Sequence, residues 1–216
     1  MKIQWLGQAS FHITTSNGVA IRTDPYDSSL GFQVSSLPAD IVTVSHGHFD
    51  HAAVGTVPGE PVVVESPGEH EVKGIRLLGV ESYHDANRGL DRGTNTIFVF
   101  EADGVRVCHL GDLGHQLTED QVRAIGRVDV LLAPVGGTYT LDADGATSVM
   151  EQLAPRVTIP MHYRVNGLSL AIQGVGAFLR GKSEVHTHAS LQVTADSLPP
   201  EPQAVVLTLS AHVNRS

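Results

Sequence analysis

The chain has 216 residues, 41% hydrophobic and 17% charged, which suits one folded domain with a sizeable core and argues against disorder. A formal net charge of -9 with no Lys/Arg run argues against a broad phosphate-tracking surface, so no nucleic-acid partner is expected. Cys108 is the only cysteine, which excludes an intramolecular disulfide, and no apolar run approaches a membrane span. Met1-Lys2-Ile3-Gln4-Trp5 lacks the apolar stretch of a signal peptide, so the expectation is a cytoplasmic protein without membrane contact, its oligomeric state open.

Short strands separated by turns open the chain: 2–6 before Gly7, then 11–15 and 19–23 around Ser16-Asn17-Gly18, which has Asn-Gly hairpin chemistry. Asp24-Pro25-Tyr26 ends the third strand. Asp24 either caps that turn or, standing ahead of a histidine-rich loop, orients an imidazole. Ile41-Val42-Thr43-Val44 reads as a buried strand and Ala52-Ala53-Val54 as the start of a helix. Between them runs Ser45-His46-Gly47-His48-Phe49-Asp50-His51-Ala52, four candidate ligands within six residues on a strand-to-helix loop. Imidazole with carboxylate suits zinc, iron or manganese. Neighbouring residues cannot all reach one ion with good geometry, so two ions are expected, with further ligands from distant segments.

Strands follow at 61–65, 75–80, 96–101 and 105–110, the last two joined by an Asp103-Gly104 hairpin turn and the last carrying Cys108 as a packed residue. The polar stretch 85–95, with Arg88, Gly89, Arg92 and Gly93, reads as a mobile loop. Thr118-Glu119-Asp120-Gln121 has the capping-box pattern and opens a helix to about Ile125. A second helix is expected over 143–153, stopped before Pro155, and a third over 174–179. Runs at 128–133, 157–159 and 205–209 read as further buried strands. Pro199-Pro200-Glu201-Pro202 is linker-like, but an apolar strand follows it, so one domain over 1–216 is expected.

His84, Asp112 and His162 each stand just beyond an apolar strand, as His46 does, so all of them can converge on one edge of a sheet stack. His46, His48 and His84 can hold one ion, Asp50, His51 and His162 another, and Asp112 can bridge the two, leaving open positions for water as a catalytic site requires.

The pattern H-x-H-x-D-H, with a later His, a Gly-Asp and a final His after strands, resembles the metallo-β-lactamase superfamily. Gly7-Gln8-Ala9-Ser10-Phe11, His109-Leu110-Gly111-Asp112, Pro134-Val135-Gly136-Gly137 and Pro160-Met161-His162-Tyr163 are similar to the L-ascorbate-6-phosphate lactonase-like hydrolases, and the likeness runs from about Trp5 to Tyr163. The resemblance implies an α+β fold, a four-layer αββα sandwich, with a dinuclear site at one edge holding two divalent ions, zinc foremost and manganese or iron as alternatives. It carries His46, His48, Asp50, His51, His84, Asp112 and His162 over as metal ligands. Gln8 departs from the pattern, since many relatives place His there. His109 and His115 flank Asp112 and read as hydrogen-bonding histidines before ligands. Asp85 either supports His84 or belongs to its loop, and Thr138-Tyr139-Thr140 either lines the pocket or stabilises a turn. Arg88 and Arg92 are read as solvated loop charge, and His70, His186, His188 and His212 show no usable arrangement.

The reaction these residues suit is metal-assisted hydrolysis of an ester-type bond, a lactone or phosphoester, in a small molecule. Asp50 would orient the attacking water and accept its proton. Rival readings are a phosphodiesterase or nuclease and a non-haem di-iron oxidoreductase on the same fold. The di-iron type resembles H-x-E-x-D at this loop, where this chain has His48. A purely structural metal site is a further rival, which the room left for water disfavours.

Overall fold

A computed structural model describes residues 1–213. In the first strand Ile3 and Trp5 alternate with Lys2 and Gln4, and the apolar pair is buried. Such alternation makes one sheet face a core face. The first sheet contains β1 (Lys2–Gly7), β2 (Ser10–Thr14), β3 (Ala20–Thr23), β4 (Ile41–Thr43) and β5 (Val62–Val64). The second takes β6 (Gly68–Val72), β7 (Ile75–Tyr83), β8 (Thr94–Ala102), β9 (Val105–His109), β10 (Val130–Pro134) and β11 (Val157–Met161). β12 (Val185–His188) and β14 (Gln203–Leu207) complete the second sheet, and β13 (Leu191–Gln192) returns to the first, beside β1. The spatial orders are β13-β1-β2-β3-β4-β5 and β12-β14-β11-β10-β9-β8-β7-β6.

The two sheets share one core. Ile3, Trp5, Phe11, Ile13 and Ile41 from the first pack with Leu77, Ile97, Val99, Val107, Leu131 and Val205 from the second. Helices α1 (Glu119–Ile125), α2 (Ala143–Leu153) and α3 (Gly176–Leu179) belong to the second sheet's side, α1 against β7 and α2 against β10 and α3. The α1 cap is the expected box, with Thr118 and Gln121 exchanging side-chain and backbone hydrogen bonds. Asp142 caps α2 by accepting from the Gly145 N–H. This is the sandwich the sequence resemblance implies, with a thinner layer over the first sheet. There Val42 of β4 packs with Ala39, Val44 and Val57, beside the 3-10 turn Val54–Thr56. No helix among the described residues is long and apolar enough to cross a membrane.

Several expected elements differ. The helix expected from Ala52 does not form. The Ala52 N–H does reach the His48 carbonyl, but the Ala53 N–H is drawn across to Pro25 instead, and only the short 3-10 turn follows. The 85–95 loop, expected to be mobile, is gathered around one side chain: the Asp85 carboxylate accepts from the backbone N–H of Asn87, Gly89, Asp91 and Arg92. The third helix is shorter than expected, and the strand expected over 205–209 starts and ends two residues earlier. β6 and β12 went unread because they are largely exposed and polar.

Glycines let the loops at the sheet edge approach one another. A Cβ on Gly136 would lie 2.1 Å from the His162 carbonyl oxygen, and one on Gly114 2.4 Å from the His84 carbonyl carbon. One on Gly55 would meet nothing within 4 Å. Gly136→Ala is therefore expected to cost about 1–3 kcal/mol of unfolding free energy through forced displacement of a backbone. Gly55→Ala should stay within about 0.5 kcal/mol of the parent. Urea denaturation of the two variants side by side checks this, and equal stabilities would contradict it.

Candidate metal centre

Four strand ends deliver the polar side chains. β4 runs out into the loop carrying His46, His48, Asp50 and His51; β7 ends one residue before His84, β9 three before Asp112, and β11 directly before His162. β7 and β9 are each antiparallel to β8, and β9, β10 and β11 are mutually parallel. His84, Asp112 and His162 therefore leave the second sheet at the same edge, where the first sheet's β4 loop meets them.

Asp112 stands at the centre. Its Oδ2 lies 3.1 Å from His84 Nε2, 3.3 Å from His51 Nε2, 3.3 Å from His162 Nε2 and 3.9 Å from His46 Nε2. Ligand-type atoms of His46, His48 and His84 fall within 4.8 Å of one another, as do those of His46, His51 and Asp112, and those of Asp50, His51 and His162. All seven residues expected to act together are thus brought together. His46 joins two of the groups, so the division is less clean than the sequence suggested.

Neighbouring residues set the ring orientations. Asp24, fully buried, accepts from the Ser45 N–H at 2.8 Å and the Ser45 hydroxyl at 2.6 Å, and its Oδ2 lies 2.9 Å from His51 Nδ1. The Ser45 oxygen lies 3.0 Å from His46 Nδ1. With Nδ1–H donating in both rings, Nε2 is the nitrogen that His51 and His46 turn inward, a lone pair on neutral His46 and, once its second proton has left, on His51. His84 Nδ1 and His162 Nδ1 have no hydrogen-bond partner among the described residues, so no protein group fixes those two tautomers.

The electrostatics favour a cation. Burial and the adjacent His51 push His46 down to about 3, so its ring is neutral. Burial acts to raise Asp50, yet its contact with His51 brings it down to about 2. Asp112 is held well below the usual carboxylate range against the pull of burial by His162 and His51. For His51 burial opposes charge, but Asp112, Asp24 and Asp50 together raise it well above 6.5. Even with His51 charged, three buried carboxylates outnumber the positive charge in contact with them, an arrangement that is costly without a cation. Among the described residues, His51 Nε2, which lies 3.3 Å from both Asp50 and Asp112, makes no well-aligned hydrogen bond, and neither does the buried Asp112 Oδ1. This donor set, imidazole-rich with hard carboxylates between, fits divalent zinc, manganese or iron.

The remaining sequence candidates lie outside the ligand group. His109 is fully buried, with Nε2 2.8 Å from the Ala9 carbonyl and Nδ1 accepting from the Gly111 N–H, so it braces the loop that carries Asp112. His115 accepts from the Tyr83 N–H and pairs with the Gln116 carbonyl. Asp85 is spent on its own loop and makes no hydrogen bond to His84. Thr140, a candidate for the pocket, turns its hydroxyl to the Leu141 carbonyl and stays with the turn. Arg92 lies over the Tyr139 ring, 4.9 Å from its centroid, and so links the 85–95 loop to that turn. Asn95 was not anticipated: its Oδ1 accepts from the Asp112 N–H while its Nδ2 donates to Leu110 and Ser82. Placed inside a strand, it carries no sequence signal that would have found it.

A family model described as a beta-lactamase superfamily domain matches residues 2–162. A UPF0173 metal-dependent hydrolase of Archaeoglobus fulgidus is 31% identical over 195 residues, covering 76% of this chain and 83% of the relative. One from Methanoculleus marisnigri is 31% identical over 190 residues, covering 76% of this chain and 81% of its own length. A crystal structure from Thermotoga maritima, assigned to the Zn-dependent hydrolases of the metallo-beta-lactamase superfamily, superposes with a TM-score of 0.81 at 40% identity, over 95% of this chain and 97% of that one.

Because His51 is raised above the free-imidazole value, its stabilising proton is fully in place below about pH 6.5 and is lost as the pH climbs through the folded value. A divalent cation must displace that proton. Zinc added to metal-free protein at neutral pH is therefore expected to release protons. Calorimetry in buffers of different ionisation enthalpy measures the release, and an apparent binding enthalpy independent of buffer would contradict the assignment.

Proposed function

The chain belongs to the beta-lactamase superfamily, and on that footing we propose that it cleaves an ester-type bond, a lactone or phosphoester, in a small molecule, using a pair of divalent ions. Its relatives are named metal-dependent hydrolases, which supports the reaction class. The observation that carries the reading is the convergence of four imidazole Nε2 atoms on one oxygen of Asp112. Zinc is the proposed ion, since nitrogen donors predominate; manganese and iron also suit the set.

His46, His48 and His84 would hold one ion and Asp50, His51 and His162 the other, with Asp112 between them. Bound there, such ions would supply hydroxide near neutral pH and would stabilise charge developing on the scissile carbonyl or phosphoryl oxygen. Asp50, ionised and beside this centre, accepts the proton of the attacking water. Asp24 and Ser45 keep the His51 and His46 Nε2 atoms aimed inward, so the rings need not turn on binding. His48, the exposed member of the group, marks the open side where substrate enters. Phe49, next to His48 in the chain, is 55% exposed and gives that side an apolar edge, and Leu90, 81% exposed, stands on the loop that follows His84.

His48→Ala and Asp112→Asn are expected to lose metal and turnover together, by about 100-fold or more in kcat/KM, while Asp24→Asn should weaken metal affinity about 10–100-fold. Metal analysis of purified protein, paired with a screen of lactones, phosphodiesters and thioesters before and after chelation, tests the reading. Full metal content with full turnover in His48→Ala or Asp112→Asn would overturn it. Activity on phosphodiesters alone would replace the lactone assignment with a phosphodiesterase.

A further inference from the structure

Gln8 occupies the turn between β1 and β2 at a φ of 51°, in the left-handed region that residues other than glycine seldom enter. Non-glycine residues keep such a backbone only where the surroundings over-determine it. Here they do. The Gln8 carbonyl accepts from Trp5 Nε1 at 2.9 Å and from the His162 backbone N–H at 3.1 Å. Next to it, the Ala9 carbonyl accepts from the Thr23 hydroxyl at 2.8 Å and meets His109 Nε2 at 2.8 Å. The turn is thus fastened to β3, to the end of β9 and to the end of β11.

The side chain points the other way, into the metal centre. Gln8 is 1% exposed, and its Nε2 donates to Asp50 Oδ2 at 2.9 Å. The amide cannot be reversed, because Oε1 against that carboxylate would set two acceptors face to face. The same Asp50 oxygen lies 3.3 Å from His51 Nε2, so it is also the oxygen turned toward the other ligands. One residue therefore holds Asp50 by its side chain and His162 by its main chain, two of the three residues in one candidate ion group.

A carboxylate on a loop can rotate about its terminal torsion and present either oxygen. A neutral donor at a fixed point removes that freedom without adding charge. We propose that Gln8 is a positioning residue that locks the Asp50 carboxylate so that Asp50, His51 and His162 face a single divalent cation. This rests on the metal-dependent reading above, and it assigns Gln8 to one of the two ion sites and not to the other.

Cobalt(II), added stepwise to metal-free protein and followed by visible absorption, reads the two sites separately from turnover. The parent should take up cobalt in two steps. Gln8→Leu, which deletes the donor, should weaken one step about 10–100-fold and leave the other and the urea midpoint unchanged. Gln8→His, which restores an N–H donor, should recover the weakened step. If Gln8→Leu does not fold, Gln8→Glu keeps the shape while setting carboxylate against carboxylate, and should lose the same step. Two unchanged steps in either donor-less variant would overturn the proposal, as would equal weakening of both. A parent that takes up no cobalt would instead sink the metal-dependent reading and this inference with it.

Discussion

A carboxylate oxygen has two lone pairs, yet Asp112 Oδ2 is met by four imidazole nitrogens from three different segments. Hydrogen bonding alone cannot satisfy that surplus, because one oxygen cannot accept from four rings and neutral His46, oriented by Ser45, turns a lone pair inward. Bringing so many acceptors into a buried space is unfavourable unless positive charge fills it. The rest of the architecture serves this crowding, since each contributing segment is anchored by a strand that is buried for independent reasons.

Strand direction and glycine placement make the meeting possible. The parallel arrangement of β9, β10 and β11, which α1 and α2 connect, sends successive loops off one edge. Gly136 and Gly114 then let the loops bearing His162 and His84 come within a distance that any side chain would prevent. The hydrophobic sandwich supplies rigidity, the glycines supply proximity, and the buried oxygens of Asp24 and Ser45 supply aim. Removing any one contribution leaves the same seven side chains without a common focus.

Much of this was legible because the ligands follow β-branched or apolar runs directly, as Ile41-Val42-Thr43-Val44 precedes His46 and Val157-Thr158-Ile159 precedes His162. A buried strand stops where polarity begins, so pattern and position agree. Asp24 was readable as a supporting carboxylate for a similar reason, although a turn cap was an equal reading of the same residue. What escaped depended on partners distant in sequence. β6 and β12 are polar strands that exist because a neighbour pairs with them. Asn95 braces Asp112 across seventeen residues, and the helix expected at Ala52 is lost to a backbone bond with Pro25. Local propensity carries no record of such competitors.

The Asp85 clasp has a consequence for molecular recognition. Four amide hydrogens closed on one carboxylate spend the segment's conformational entropy during folding, at about 1–2 kcal/mol per residue fixed. Leu90 is thereby presented on a pre-ordered segment that begins directly after His84, and a molecule captured there need not immobilise the segment again. Selectivity can then drift by exchanging the tip residue while the clasp stays put, which separates the choice of substrate from the integrity of the catalytic core.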